Sequence, residues 1–225
     1  MLNQLLLNGI ISGSIYALIA LGFAVIYKTV RFFHFAHGIV YTAGAYFAYS
    51  LSISLGINVI LSFFLASAFS AILGIAIDRC IYLPLRKNNA PPLVFLIASF
   101  GVFIFIQNLL QLIYGAQILT LRTGVIKEGH QFLGAVITNI QILMLAVSCW
   151  LLVALWFVVE RTKMGKAIRA VADDPVGASV AGIYSERVIL YAFGIGSALA
   201  GAAGILISYE TNIEPTMGMN AILKG

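Results

Sequence analysis

The chain has 225 residues, 61% of them hydrophobic and only 9% charged, with a mean hydropathy of +1.02. Soluble domains carry roughly 25% charged residues, because water must solvate most of their outside, so a soluble globular domain is excluded. The 13 Lys and Arg against 8 Asp and Glu give +5, an excess that in a membrane protein records the cytosolic side rather than nucleic-acid binding.

Uncharged runs cover residues 1–27, 38–77, 88–121, 131–159 and 188–209. A helix needs about 20 apolar residues to cross a bilayer core of roughly 30 Å, so the run 38–77 must turn back on itself, at Gly56-Ile57-Asn58. Six crossings are predicted: 5–27, 37–54, 57–77, 92–114, 135–159 and 188–207. Helices are favoured over barrel strands because the runs are long and continuously apolar rather than alternating. The first segment lacks a basic leader and is too long for a signal core, so it reads as part of the mature protein. The second is short and rich in small and hydroxyl residues (Gly38, Gly44, Ser50, Ser52, Ser54), which also fits a broken or re-entrant helix.

Lys28, Arg31, Arg79, Arg86, Lys87, Arg161, Lys163, Lys166, Arg169 and Arg187 fall on one side of these crossings, and Arg122, Lys127 and Lys224 on the other. The positive-inside rule puts the first set in the cytosol and the amino terminus outside. Lipid gives helices no hydrophobic reason to associate, so small residues must let them approach. The last crossing offers Gly196, Ala200 and Gly204 at four-residue spacing, and the first offers Gly9 and Gly13. Intramembrane polar groups are limited to amides such as Asn8, Gln107, Asn108, Gln111, Asn139 and Gln141, with no ionisable residue near a helix centre. That pattern disfavours an ion-coupled carrier; Asn8 and Asn108 are kept as candidate pathway residues. Cys80 and Cys149 lack CxxC or CxxH spacing, and His34 and His37 have no carboxylate or cysteine beside them. Neither set suggests a metal site.

The longest polar stretch is 160–187. Within it Gly165–Ala172 predicts a short amphipathic helix with Lys166 and Arg169 on its polar side. Asp174 suits an N-cap, Pro175 the first helical position and Gly182 a C-terminal stop, giving a second helix of about two turns that displays Val176, Ala178, Val180 and Ala181. Ser185 is placed to cap the sixth crossing. Such an element can rest on anionic lipid or dock into a cytosolic partner, and physics alone does not choose between them.

Gly13-Ser-Ile-Tyr-Ala-Leu-Ile-Ala-Leu-Gly22, then Phe35-Ala-His-Gly38 with Tyr41 and Gly44-Ala-Tyr46, resembles the branched-chain amino acid ABC transporter permeases of the LivH type. The resemblance continues through Leu85-Arg86, the Pro-Leu-Val stretch at Pro92, Ile97-Ala-Ser-Phe-Gly101, Gly165-Lys-Ala-Ile-Arg-Ala170, Gly182-Ile183 and Ala198-Leu-Ala-Gly201. It covers nearly the whole chain, with Phe-Ala-His-Gly and Gly-Lys-Ala-Ile-Arg-Ala as its most specific blocks.

The resemblance implies an all-α, polytopic transmembrane helix bundle forming a single permease domain. It implies a subunit of an ATP-driven importer of the bacterial or archaeal inner membrane. The partners would be a second permease, two cytosolic ATPases carrying ATP and Mg, and a periplasmic or lipid-anchored binding protein. The 160–187 stretch then becomes the ATPase-coupling loop, with Ala172, Asp174, Ala178 and Gly182 as the coupling set. The chain carries no G-x-x-x-x-G-K-[ST] loop, so it is expected to be neither an ATPase nor another enzyme, and to hold no cofactor. Family members usually continue past a Leu-Lys-Gly-like stretch such as 223–225, so further helices are expected to be missing here. The alternatives are an ABC permease for urea or short-chain amides, a passive channel or facilitator, and a structural membrane protein without transport.

Overall fold

The structure is a computed structural model and describes residues 2–121, 129–132 and 134–224. Arg122 and Lys127, two of the basic residues assigned to the outer side, lie outside the described residues. Helix α1 (Leu2–Val30) leads through a five-residue linker into α2 (Ala36–Tyr49), which ends in a π-helical turn, Ser50–Ser54. The chain reverses at Gly56 (φ +65°) and enters α3 (Val59–Ile77), whose N-cap Asn58 accepts the Ile60 N–H at 2.9 Å. A second π turn, Asp78–Tyr82, carries α3 without a break into α4 (Leu83–Lys87). Then come α5 (Pro92–Tyr114), a small antiparallel hairpin of β1 (His130–Phe132) and β2 (Ala135–Ile137), and α6 (Asn139–Arg161). The chain closes with α7 (Lys163–Asp173), α8 (Pro175–Val180), α9 (Ser185–Ser208) and α10 (Met217–Lys224).

Five helices among the described residues are long and apolar enough to cross a membrane: α1, the continuous Val59–Lys87 rod, α5, α6 and α9. The fold is the all-α polytopic bundle expected. The helix ends mostly lie within three residues of the sequence reading, and two differ by more. The third crossing was expected to stop at residue 77, where Asp78 and Arg79 read as loop, yet it runs on to Lys87. The extra residue of the π turn lets Arg86 clamp Asp78 from below in a bidentate pair, at 2.7 and 3.1 Å. The fifth was expected from residue 135, but residues 135–137 form β2 and the helix starts at Asn139. Its start is fixed by a capping box in which Thr138 accepts the Gln141 N–H and Gln141 accepts the Thr138 N–H.

Helix α2, short and rich in small residues, lies at the centre. Twelve of its residues are buried, and α3, α5, α9 and α10 pack around it. The window that defines α9 as a span is 78% buried, against 17% for that of α6 at the rim. Gly204 lies so close to α2 that a Cβ there would overlap the Tyr41 carbonyl oxygen, and a Cβ on Gly44 would come within 2.5 Å of the Gly201 Cα. A Cβ on Gly196 would sit 2.5 Å from the Gly22 carbonyl oxygen of α1. Ala200 is fully buried between them. Gly9 and Gly13, by contrast, have open space beside them.

These environments should separate in a thermal scan of the detergent-solubilised protein. Gly204→Ala should cost about 1–3 kcal/mol by overpacking and lower the midpoint, whereas Gly13→Ala should leave the midpoint unchanged or raise it.

Candidate functional site: the basic end and its helical knob

Two arginine contacts tie the linkers at one end of the bundle to the 160–187 stretch. Arg31 Nη2 donates to the carbonyls of Ala172 and Asp173 at 2.8 and 2.9 Å. Arg86 Nη2 donates to Glu186 at 3.3 Å while the same guanidinium holds Asp78. This end therefore gathers the basic residues of the α1–α2 linker, of α4 and of the stretch between α6 and α9.

Helix α7 is strongly amphipathic. Its apolar side, Ile168 and Val171, packs with Ala178 of α8 and Val188 of α9 in a small core separate from the main one. Its start is pressed against the end of α6: a Cβ on Gly165 would overlap the carbonyls of Val158 and Val159. Thr162 caps it by accepting the Gly165 N–H at 3.1 Å. Arg169 pairs with Glu160 at 3.1 Å and also donates to the Val159 carbonyl.

Helix α8 is framed as its sequence dictates. The Asp174 carboxylate accepts the Val176 N–H at 2.9 Å, and Pro175, with no N–H to lose, takes the first position. At the other end Gly182 adopts φ +81°. Its N–H donates to the Ser179 carbonyl, and the Ile183 N–H donates to that of Ala178, the paired bonds of a Schellman stop. Ser185 does not cap α9 as the sequence reading expected. Tyr184 holds that position, and the Ser185 hydroxyl turns to the Pro175 carbonyl and the Ser179 hydroxyl of α8.

The candidate coupling residues occupy different environments. Asp174 and Gly182 are exposed caps, Ala172 is half-buried with its carbonyl held by Arg31, and Ala178 is buried in the seam against α7 and α9. What α8 shows to the outside is Val176, 74% exposed, and Val180, 86% exposed, with Tyr184 at 71% just beyond. Of the four residues expected on display, Ala178 points inward, because a helix this short has to bury some side chain against α7 to be held at all. Tyr184 was not singled out by the sequence, and its apolar ring beside the glycine stop was the available signal.

Asn8 and Asn108 are not brought together. Asn8 accepts a hydrogen bond from Gln4 at 3.2 Å and Asn108 donates to its own helix at the Ile104 carbonyl. Both stand on exposed faces. Gln141 joins neighbours instead, donating to Glu210 at 2.9 Å. A cavity of about 490 Å³ at the other end is lined by Tyr16, Tyr41, Glu210, Glu214 and Asn220 among others. Neither Asn8 nor Asn108 borders it, and its carboxylates follow the last long helix, where the sequence reads as loop.

The linker 31–35 is a wedge driven into the bundle. Phe32 packs on Phe95 and Tyr82, each with a centroid distance of 4.9 Å, and Ser99 accepts the Phe35 N–H at 3.3 Å. His34 shares a 2.9 Å hydrogen bond with the Tyr82 hydroxyl. Burial first, and the neighbouring His37 second, hold the His34 pKa well below its ordinary value. No group of three or more His, Cys, Asp or Glu among the described residues could hold a metal.

The structure is thus a polytopic helical bundle with a basic end and a short capped helix that displays apolar side chains. Residues 5–225 match the family described as "Branched-chain amino acid transport system / permease component". The chain is 35% identical to the high-affinity branched-chain amino acid transport system permease protein BraD of Pseudomonas aeruginosa, over 98% of this chain and 76% of that one. It is also 35% identical to LivH of Escherichia coli K12, covering 98% and 75%, and 28% identical to a probable LivH of Methanocaldococcus jannaschii, covering 96% and 70%. No solved structure matches. The chain belongs to the branched-chain amino acid transport permease family and is a multi-pass inner-membrane protein.

The buried charge at this end gives a stability test. Arg86→Met leaves the Asp78 carboxylate, only 2% exposed, without its partner. Breaking a buried pair from one side costs about 3–5 kcal/mol, so unfolding in SDS mixed micelles should begin at distinctly lower denaturant. The double change Arg86→Met with Asp78→Leu should recover much of the loss.

Proposed function

We propose that this chain is the permease subunit of an ATP-driven importer for branched-chain amino acids, receiving its energy through α8. Its relatives are named as permeases of branched-chain amino acid transport systems, which supports both the cargo class and the existence of partners. Those partners are a second permease, two cytosolic ATPases that bind ATP and Mg, and a binding protein that delivers the amino acid. The basic end faces the cytosol and the amino terminus the outside, as the positive-inside rule requires. The bundle then makes six crossings. The second is α2 with its π turn, Ala36 to Ser54, which at about 1.5 Å per residue reaches close to the thickness of the hydrocarbon core.

The observation that carries the docking role is the display of Val176, Val180 and Tyr184 on a knob whose backbone is fixed by caps at both ends. Apolar side chains exposed together outside the membrane-spanning helices support an interaction role, and the buried side of the helix, Ala178, anchors it to α7 and α9. Alternating access follows if closure of the ATPases shifts the knob and the knob shifts α7 and the start of α9. Asp174 and Gly182 act by shaping the knob, and Ala172 and Ala178 by anchoring it.

Val176→Asp combined with Val180→Asp should abolish co-purification of the ATPases while leaving the yield of folded chain unchanged, since neither side chain is buried. In vesicles holding the whole transporter, ATP should drive uptake of labelled leucine and the double variant should remove that uptake. Uptake that persists without ATP would instead establish a passive facilitator.

A further inference from the structure

We propose that Arg31 is a positioning residue that carries movement of the α8 knob to the central helix α2. The inference rests on the docking role proposed above. Arg31 is the first residue after α1, and its guanidinium holds the last two carbonyls of α7, Ala172 and Asp173. The next residue along, Asp174, is the N-cap of α8. A carbonyl at a helix end has no intrahelical partner and carries partial negative charge, so a cation placed there grips the helix end itself. On the other side of Arg31 the chain goes directly into the wedge 32–35, whose Phe32 and His34 are buried, and then into α2. One side chain thus joins the root of the knob to the start of the innermost helix.

The backbone supports a specific role. Arg31 sits at φ +56°, a region where glycine or asparagine is at home and a long side chain is uncommon. The turn alone does not call for an arginine, and the use made of its side chain does. The opposite root of the knob, the first turn of α9, is held through Glu186 by Arg86. That contact is a separate, exposed pair at 3.3 Å, but its arginine also holds the buried Asp78, so a change at Arg86 disturbs the stability of α3 and α4. The Arg31 contact is exposed, and its acceptors are backbone carbonyls that no side-chain change removes, so cutting it strands no buried charge.

Arg31→Asn keeps a residue suited to the left-handed turn but too short to reach α7. In the assembled transporter it should leave the thermal midpoint, the bound ATPases and ATP hydrolysis near parental values, while leucine imported per ATP hydrolysed falls about tenfold. Arg31→Lys, whose ammonium can donate to both carbonyls, should restore most of the ratio. Parental import per ATP in Arg31→Asn would overturn the inference. So would loss of bound ATPases in that variant, which would mean that Arg31 only shapes the docking surface. Retention of ATPases by the Val176→Asp, Val180→Asp protein would overturn the docking role itself, a separate result.

Discussion

The backbone-to-backbone contact of α2 with α9 is the constraint from which the rest of the bundle follows. In lipid, two apolar helices gain nothing by leaving the hydrocarbon for each other, so association depends on close packing. Gly201 and Gly204 on α9 meet Gly44 and the Tyr41 carbonyl of α2, and Gly196 meets Gly22 of α1. At that separation the backbones are in direct contact, and dispersion, small per pair, is summed over the length of the contact. Once α2 is fixed there, it has no lipid-facing side left, and α3, α5 and α10 close over it.

A buried central helix imposes conditions on its ends. The linker that feeds α2 cannot remain a solvated loop, so it fills space with Phe32 and Phe35 and ties its polar atoms to Ser99 and Tyr82. The same economy explains the π turn Asp78–Tyr82. By shifting the helix register it brings Tyr82 onto His34 and Asp78 onto Arg86 at once, a common use of a π bulge at a working region. Helix α9 serves twice, as the packing partner of α2 and as the chain leaving the knob, so the knob and the bundle centre share one rigid element.

Much of this is legible in the sequence where the cause is local. The 92–114 crossing is bounded by Pro92 and Gly115, and the structure gives Pro92–Tyr114. Asp174, Pro175 and Gly182 act on backbone within a few residues of themselves, and each does what its chemistry suggests. What is hidden depends on partners distant in sequence. Gly196 and Gly204 look like Gly9 and Gly13 as small-residue pairs, yet one pair is filled by another helix and the other faces open space. Asp78 reads as the end of a span until Arg86 is seen beneath it. A six-residue helix is too short for periodicity to tell Ala178 inward from Val176 outward. Nothing local in Arg31 reveals that its acceptors lie 141 and 142 residues away.

The two arginines that grip the knob differ in a way that assigns the moving part. Arg86 is largely enclosed and paired with a buried carboxylate, so releasing Asp78 would strand a charge away from water, at a cost of several kcal/mol. Arg31 is exposed and bonds backbone carbonyls, and water can replace those bonds without leaving a charge buried and unpaired. In the proposed coupling the α9 root is the fixed side, because α9 itself is buried in the bundle, and the α7 root the yielding side. In that coupling, a push on Val176 and Val180 would turn the knob about the start of α9 and displace the end of α7 against Arg31. That displacement would enter the bundle at the α1–α2 linker, where the buried Phe32 and His34 are close-packed and cannot absorb it by compression.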